Sequence, residues 1–286
     1  MAYTDIDKPS DYFRTKLYAG NATNNRAITW DETNTNMQAD LLWFKSRTDT
    51  QTHGIWDSVR GAIKRLIPSS TGAEGDEAND LDSFDTNGFT VDSAANMNGS
   101  SRNYVTWGWK AGTSFTNDAS ATGIGTIDST GSVNTDAGFS IISYTGNATT
   151  NAKVAHGLGV APSMMIVKKR NGAFNWGIYH KSLTAHKLIT FTTNAPDDDA
   201  SYWNDVEPTS SVFNLGSGAL TNGSGSTMIA YCFAEKQGFS KFSSYTGNGN
   251  ADGTFIYTGF KPAFIMIKRT DVAKNWYIND NLRLGY

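Results

Sequence analysis

The chain has 286 residues, a formal net charge of −3, and only 18% charged residues. Its longest basic run is Lys168-Lys169-Arg170, which argues against a nucleic-acid binder, since such proteins show a basic face. With 15 Phe, 12 Tyr and 8 Trp it has too many core-forming side chains for a disordered chain, and its single cysteine, Cys232, excludes an internal disulfide.

Residues 1–12 read as an N-terminal arm that docks on a partner. The start from Met1 to Asp7 has no basic segment followed by an apolar one, so it is not a signal peptide. No apolar stretch reaches the ~18 residues that span a membrane, and we expect cytoplasmic synthesis without membrane insertion. Residues 13–112 read as a first β-sandwich. Within it Leu41-Leu42-Trp43-Phe44 is a short apolar run of strand type. Ser58 to Leu66 has a helical look behind an Asp57 cap, but its counterpart, Leu188 to Thr193, is β-branched and aromatic, so a strand is predicted. Tyr104 to Trp109 alternates large and small side chains, as a half-buried strand does. Residues 113–137, rich in Gly, Ser and Thr, read as a connection. Residues 138–237 read as a second sandwich and 238–286 as a partial third.

The repeat itself is carried by two anchors. Tyr144-Thr145-Gly146-Asn147 and Tyr245-Thr246-Gly247-Asn248 are copies of one motif, with a fainter copy at Tyr18-Ala19-Gly20-Asn21. After each comes an apolar run closed by a lysine: Lys45, Lys168 and Lys268, spaced 123 and 100 residues apart. The same offsets align His53, Trp176 and Trp276, then Asp57, His180 and Asp280. The first two copies also share second halves. Arg65-Leu66-Ile67 pairs with Lys187-Leu188-Ile189, Phe89 to Val91 with Phe213 to Leu215, and Tyr104 to Trp109 with Met228 to Phe233. The expected fold class is all-β: tandem β-sandwiches of jelly-roll or lectin-like type, the third incomplete.

No motif for catalysis stands out. The nucleophile elbow and the phosphate loop are both missing. The four histidines form no zinc signature, and Asp197-Asp198-Asp199 reads as a solvated acidic loop rather than a calcium site. No catalytic residue, metal or cofactor is expected, and the chain is read as not an enzyme. Trp176, Tyr179, His180, Trp276 and Asp280 combine aromatic faces with polar neighbours, a pattern that binds glycans by stacking and hydrogen bonding. The competing reading is that the tryptophans fill the core of each repeat, and their recurrence at one repeat position favours it. Asn98-Gly99-Ser100 and Asn222-Gly223-Ser224 match glycosylation acceptors, which chance explains in so Asn-rich a chain.

The stretches Ile6 to Phe13, Ile55 to Gly61, Ser83 to Thr90, Tyr104 to Ala111, Gly138 to Asn147, His156 to Pro162 and Pro262 to Asp280 resemble a repeat family of marine bacteriophages. Its members occur in cyanophages and pelagiphages and are labelled tail fibre or virion structural proteins. The resemblance covers essentially the whole chain and carries no catalytic residues. It implies a bacteriophage virion structural protein, foremost a tail fibre or receptor-binding component. A capsid decoration protein is the alternative, and a polysaccharide-degrading tail enzyme a more distant one. The implied partners are other virion proteins, further copies of the chain in a homo-oligomer (a trimer in a fibre) and host surface glycans. The implied location is the virion.

Overall fold

Apolar runs of four to six residues bounded by Gly, Asn and Ser are too short for helices and suit strands. The computed structural model describes residues 4–283 and shows this throughout. The first repeat contains β1 (Phe13–Ala19), β2 (Arg26–Thr29), β3 (Leu41–Ser46), β4 (Gly54–Asp57), β5 (Lys64–Arg65), β6 (Gly75–Asp76), β7 (Leu81–Asp85), β8 (Gly88–Val91) and β9 (Asn103–Trp109). Next come β10 (Thr113–Asn117), the one-turn helix α1 (Ala119–Thr122) and β11 (Ser129–Asn134). The second repeat contains β12 (Phe139–Thr145), β13 (Ala152–Ala155), β14 (Met164–Lys169), β15 (Gly177–His180), β16 (Lys187–Leu188), β17 (Asp197–Asp198), α2 (Ala200–Trp203), β18 (Val212–Leu215), α3 (Ala219–Asn222) and β19 (Thr227–Phe233). The third shows β20 (Phe264–Lys268) and β21 (Trp276–Asp280).

All pairings between these strands are antiparallel, and the two full repeats share one plan. The first has a sheet in the order β1-β9-β3-β4 packed on a sheet β2-β8-β7. The second has β12-β19-β14-β15 packed on β13-β18. Ile28, Leu42, Phe44, Trp56 and Phe89 fill the first sandwich; Tyr144, Met165, Val167, Phe213 and Cys232 fill the second.

Four expectations need correcting. Residues 113–137 are not a loose connection, because β10 and β11 extend the second repeat's main sheet to six strands. In β10 only Asn117 is buried and Phe115 partly so, and pairing with β11 holds this edge strand, so low apolar content there misled. Ser58 to Ile63 is a turn rather than strand, and only Lys64–Arg65 is extended. Isolated bridges join Ile55 to Leu66 and Ile178 to Ile189, so Leu66 corresponds to Ile189, one residue from the alignment the sequence suggested. The arm begins outside the described residues, and its described part docks on the chain itself: the Asp5 amide donates to the Gln237 carbonyl at 3.1 Å, and Ile6 is buried.

The Tyr-x-Gly-Asn motif has a physical explanation. Tyr18 donates its hydroxyl to the Met97 carbonyl at 2.6 Å and Tyr144 donates to that of Thr221 at 2.7 Å. The asparagine that follows each of these carbonyls, Asn98 or Asn222, is wholly buried. Its side-chain oxygen accepts from the Asn21 or Asn147 amide, at 3.0 and 2.9 Å. Its Nδ2 donates to the Thr23 or Thr149 carbonyl, at 2.8 and 3.0 Å. The motif's glycine lies against this Asn-Gly turn so closely that a Cβ on Gly20 would stand 2.2 Å from the Gly99 oxygen, and one on Gly146 2.5 Å from that of Gly223. The two acceptor-like sequences are therefore the buried partners of the repeat motif. Replacing Asn222 with Ala removes three bonds from its buried side chain to backbone groups, counting the one to the buried Gly216 carbonyl at 2.8 Å. We expect a loss of about 2–4 kcal/mol in urea unfolding, against under about 0.5 kcal/mol for Asn250→Ala in an exposed turn.

Candidate functional site

A strand that is apolar at every position needs cover on both faces. In β3, Leu42 and Phe44 face the repeat's own sandwich while Leu41 and Trp43 face outward. In β14, Met165 and Val167 face inward while Met164 and Ile166 face outward. These outward faces meet each other in a third core between the repeats, to which Phe264, Met266, Trp276 and Ile278 of the third repeat add one more wall. Aromatic edges knit it: Trp43, Trp176 and Trp276 all surround Phe191, at ring-centroid distances of 5.7, 5.6 and 5.5 Å. Phe264 meets Trp107 at 5.6 Å and Trp109 at 5.3 Å.

Polar bonds at this junction recur with the sequence offsets. Trp176 Nε1 donates to the Ile67 carbonyl at 3.0 Å, and Trp276 Nε1 donates to the Thr190 carbonyl at 2.8 Å. Each repeat thus holds the fifth strand segment of the one before it. Lys168 reaches back to the Thr71 carbonyl at 2.9 Å, and Lys268 to that of Thr193 at 3.0 Å. Burial pushes the Lys168 amine down to about 8. A second set of cross-repeat bonds centres on aspartates. Asp57 accepts from the Tyr231 hydroxyl of the second repeat at 2.6 Å, and Asp280 accepts from Trp107 Nε1 of the first at 3.1 Å. Each of these aspartates also takes the Nε–H of an arginine three residues on, Arg60 or Arg283.

Around Asp57 lies a charge network that sequence reasoning missed. Arg60, with its side chain fully buried, donates to Glu74 at 2.9 Å and to the Ile55 carbonyl at 3.1 Å. Glu74 also takes both Nε and Nη2 of Arg170 from the second repeat, at 3.0 and 2.9 Å. Burial opposes ionisation of Glu74, but the hydrogen bonds from Arg170 and Arg60 outweigh it and hold its carboxyl below its ordinary value. Arg60 is likewise desolvated, yet Asp57 keeps its guanidinium firmly charged. The only advance signal was Asp57-x-x-Arg60 recurring as Asp280-x-x-Arg283.

The five residues expected to bind a glycan do not converge. Trp176 and Tyr179 are 1% and 2% exposed, and Asp280 is 3% exposed, so none of the three offers a face to a sugar. Trp176 sits in the junction. Tyr179 lies on the opposite side of β15, its hydroxyl on Glu207, and burial with that carboxylate raises it well above its ordinary value. Asp280 is consumed by Trp107 and Arg283. Trp276 and His180 are half-buried, His180 beside Phe242 at 6.4 Å. Trp176 and Trp276 pack in the junction between repeats rather than in the core of their own repeat. In the acidic loop, Asp199 caps α2 through the Ser201 amide at 2.7 Å and Asp197 accepts from Tyr202 at 2.9 Å. Among the described residues no group of three or more His, Cys, Asp or Glu is placed to hold a metal ion, and no helix is long and apolar enough to cross a membrane.

Repeated sandwiches sharing a junctional core define the chain as an all-β tandem-repeat protein. Residues 8–286 match the family model described as a domain of unknown function, DUF7483, and the chain belongs to that family. No curated protein and no solved structure matches it.

The junction generates one prediction and the buried histidines another. Trp176→Phe keeps an aromatic side chain but loses the indole N–H and with it the bond to the Ile67 carbonyl, so urea unfolding should register a loss of about 1–3 kcal/mol. The second concerns acid. His156 is fully buried and neutral, its Nε2 donating to the Thr209 carbonyl at 3.1 Å while Nδ1 accepts from the Leu158 amide at 3.2 Å. Burial pulls it down to about 4, and burial with Lys45 does the same for His53. An imidazole that protonates near 6.5 when unfolded and near 4 when folded lends its full stability above pH 6.5 and loses it as pH falls toward 4. Each histidine should cost about 3 kcal/mol over that window, and His156→Asn should flatten the slope of unfolding free energy against pH.

Proposed function

We propose that the chain is a non-catalytic structural component of a bacteriophage virion, foremost a tail fibre or receptor-binding part. The sequence resemblance points there, and the single structural observation that supports it is the fused junction. Sandwiches joined face to face through buried aromatic rings and a buried Asp57-Arg60-Glu74-Arg170 network suit a part that bears load and presents surface.

In this reading the described part of the arm stays on the chain, and other virion proteins and further copies of the chain, three in a fibre, assemble around the sandwiches. Contact with host glycans falls to polar loops rather than to Trp176 or Tyr179, whose rings are enclosed. Several weak contacts on linked copies add through effective concentration, which gives firm attachment without a deep pocket. Mass spectrometry of gradient-purified virions and gold-labelled antibody against the chain test the reading. We expect the chain in intact particles with label at the tail. Label on the head lattice would select the decoration role instead, and absence from particles would end the virion reading altogether.

A further inference from the structure

The first two repeats share a plan, and one place in it is built in opposite ways. Four positions correspond through features that both repeats keep. Arg65 and Leu188 precede Leu66 and Ile189, which make the same bridge. Thr52 and Asn175 precede the aligned His53 and Trp176. The Asp80 carbonyl accepts from the Asp92 amide at 2.8 Å, and the Tyr202 carbonyl from the Gly216 amide at 3.0 Å, just beyond β8 and β18. Asn96 and Leu220 stand two residues before the buried Asn98 and Asn222. In the first repeat the four positions form a polar plug. Arg65 and Asp80 are buried there, with Arg65 Nη1 3.9 Å from the Asp80 carboxylate. Arg65 Nη2 donates to Thr52 Oγ1 at 2.8 Å, and Asn96 Nδ2 donates to both Asp80 oxygens at 3.2 Å. In the second repeat leucine replaces Arg65 and Asn96, tyrosine replaces Asp80, and an open cleft of about 350 Å³ lies at that place. Leu188 and Leu220 give it apolar lining. Tyr202, on α2, lines it as well and is held by donating its hydroxyl to Asp197 Oδ2 on β17 at 2.9 Å. Asn175 and Asn194 complete the lining, and among the described residues their side-chain amides and Asp197 Oδ1 have no hydrogen-bond partner. The plug's bonds lie within the first repeat and these cleft residues within the second, so the contrast is complete inside each repeat.

We propose that this cleft binds one neutral hexopyranose unit of a glycan. A pyranose ring presents a face of C–H bonds and a rim of hydroxyls that donate and accept. Leu188, Leu220 and Tyr202 match the face, while the free amides of Asn175 and Asn194 and the free oxygen of Asp197 match the rim. At about 350 Å³ the cleft lies at the small end of ligand sites, which run from about 300 Å³ upward, so it takes a single ring. Asp197 lines the cleft and exposed Asp198 and Asp199 follow it in the chain, so like charge turns away uronic acids, sialic acid and phosphorylated sugars. Tyr202 is already fixed by Asp197, which lowers the cost of ordering it around a ligand. The site deepens the receptor-binding reading and rests on it for the source of the sugar, a host surface glycan.

Heteronuclear NMR on the full chain, titrated with the methyl glycosides of glucose, galactose and mannose and with methyl glucuronide, tests the site. At least one neutral glycoside should saturably shift the Asn175 and Asn194 side-chain amides and the Leu188 and Leu220 methyls, and the glucuronide should shift none of them. Asn175→Ala and Asn194→Ala remove amides that have no partner in the free protein, so the unfolding midpoint should stay where it is. Each should weaken binding of the neutral glycoside roughly five-fold or more. Silence of these signals with every neutral glycoside up to about 50 mM, well past the millimolar range of weak sites, overturns the proposal. Equal binding of the glucuronide, or binding indifferent to both asparagine variants, overturns it too. A glycoside that shifts only residues elsewhere overturns this site and leaves the receptor-binding reading standing, which the labelling of virions tests separately.

Discussion

A β-strand that is apolar on both faces cannot be finished by one sandwich. β3 and β14 each bury one face in their own repeat and turn the other outward, and water excludes that second face as strongly as the first. The only structural answer within the chain is to place the repeats with their outer faces together. Everything else at the junction follows from this. Tryptophans are enclosed there because the contact needs bulk. Lysines reach across it to carbonyls of the preceding repeat, Lys168 with its side chain buried and Lys268 from a more open position.

Apolar burial by itself would tolerate sliding of one face over another. Directional bonds remove that freedom. Indole donors run from each repeat to the one before, while aspartate acceptors join the first repeat to the second and the third to the first. A buried charge network is weak support for net stability, because desolvation consumes much of the Coulomb gain. Its effect is on alternatives: any misdocked arrangement takes Tyr231 from Asp57 and Arg170 from Glu74. The same bonds make Asp80 conspicuous. It lies outside the junction, and burial lifts its carboxyl to about 6, the opposite direction from Glu74.

Much of this was legible in the residues. The offsets of 123 and 100 placed Trp176 with Trp276 and Asp57 with Asp280, and the structure gives each pair the same kind of bond. Strand type was legible from run length and bounding turn residues. Three features were not. The strands β10 and β11 carry few large apolar residues, and pairing at a sheet edge compensates for weak local preference. Arg60 and Glu74 look like surface residues until the neighbouring repeat brings Arg170 beside them, and no local pattern encodes that approach. Tyr179 and Trp176 looked like one site because they are close in sequence. Residues three apart on a strand point to opposite faces, and these two entered different cores.

Calorimetry on the full chain probes the shared core most directly. If the junction binds the repeats into one cooperative body, a single endotherm should appear, with calorimetric and van't Hoff enthalpies in agreement. Two resolved transitions, one for each sandwich, would contradict the account by showing that either repeat survives with its outer face exposed.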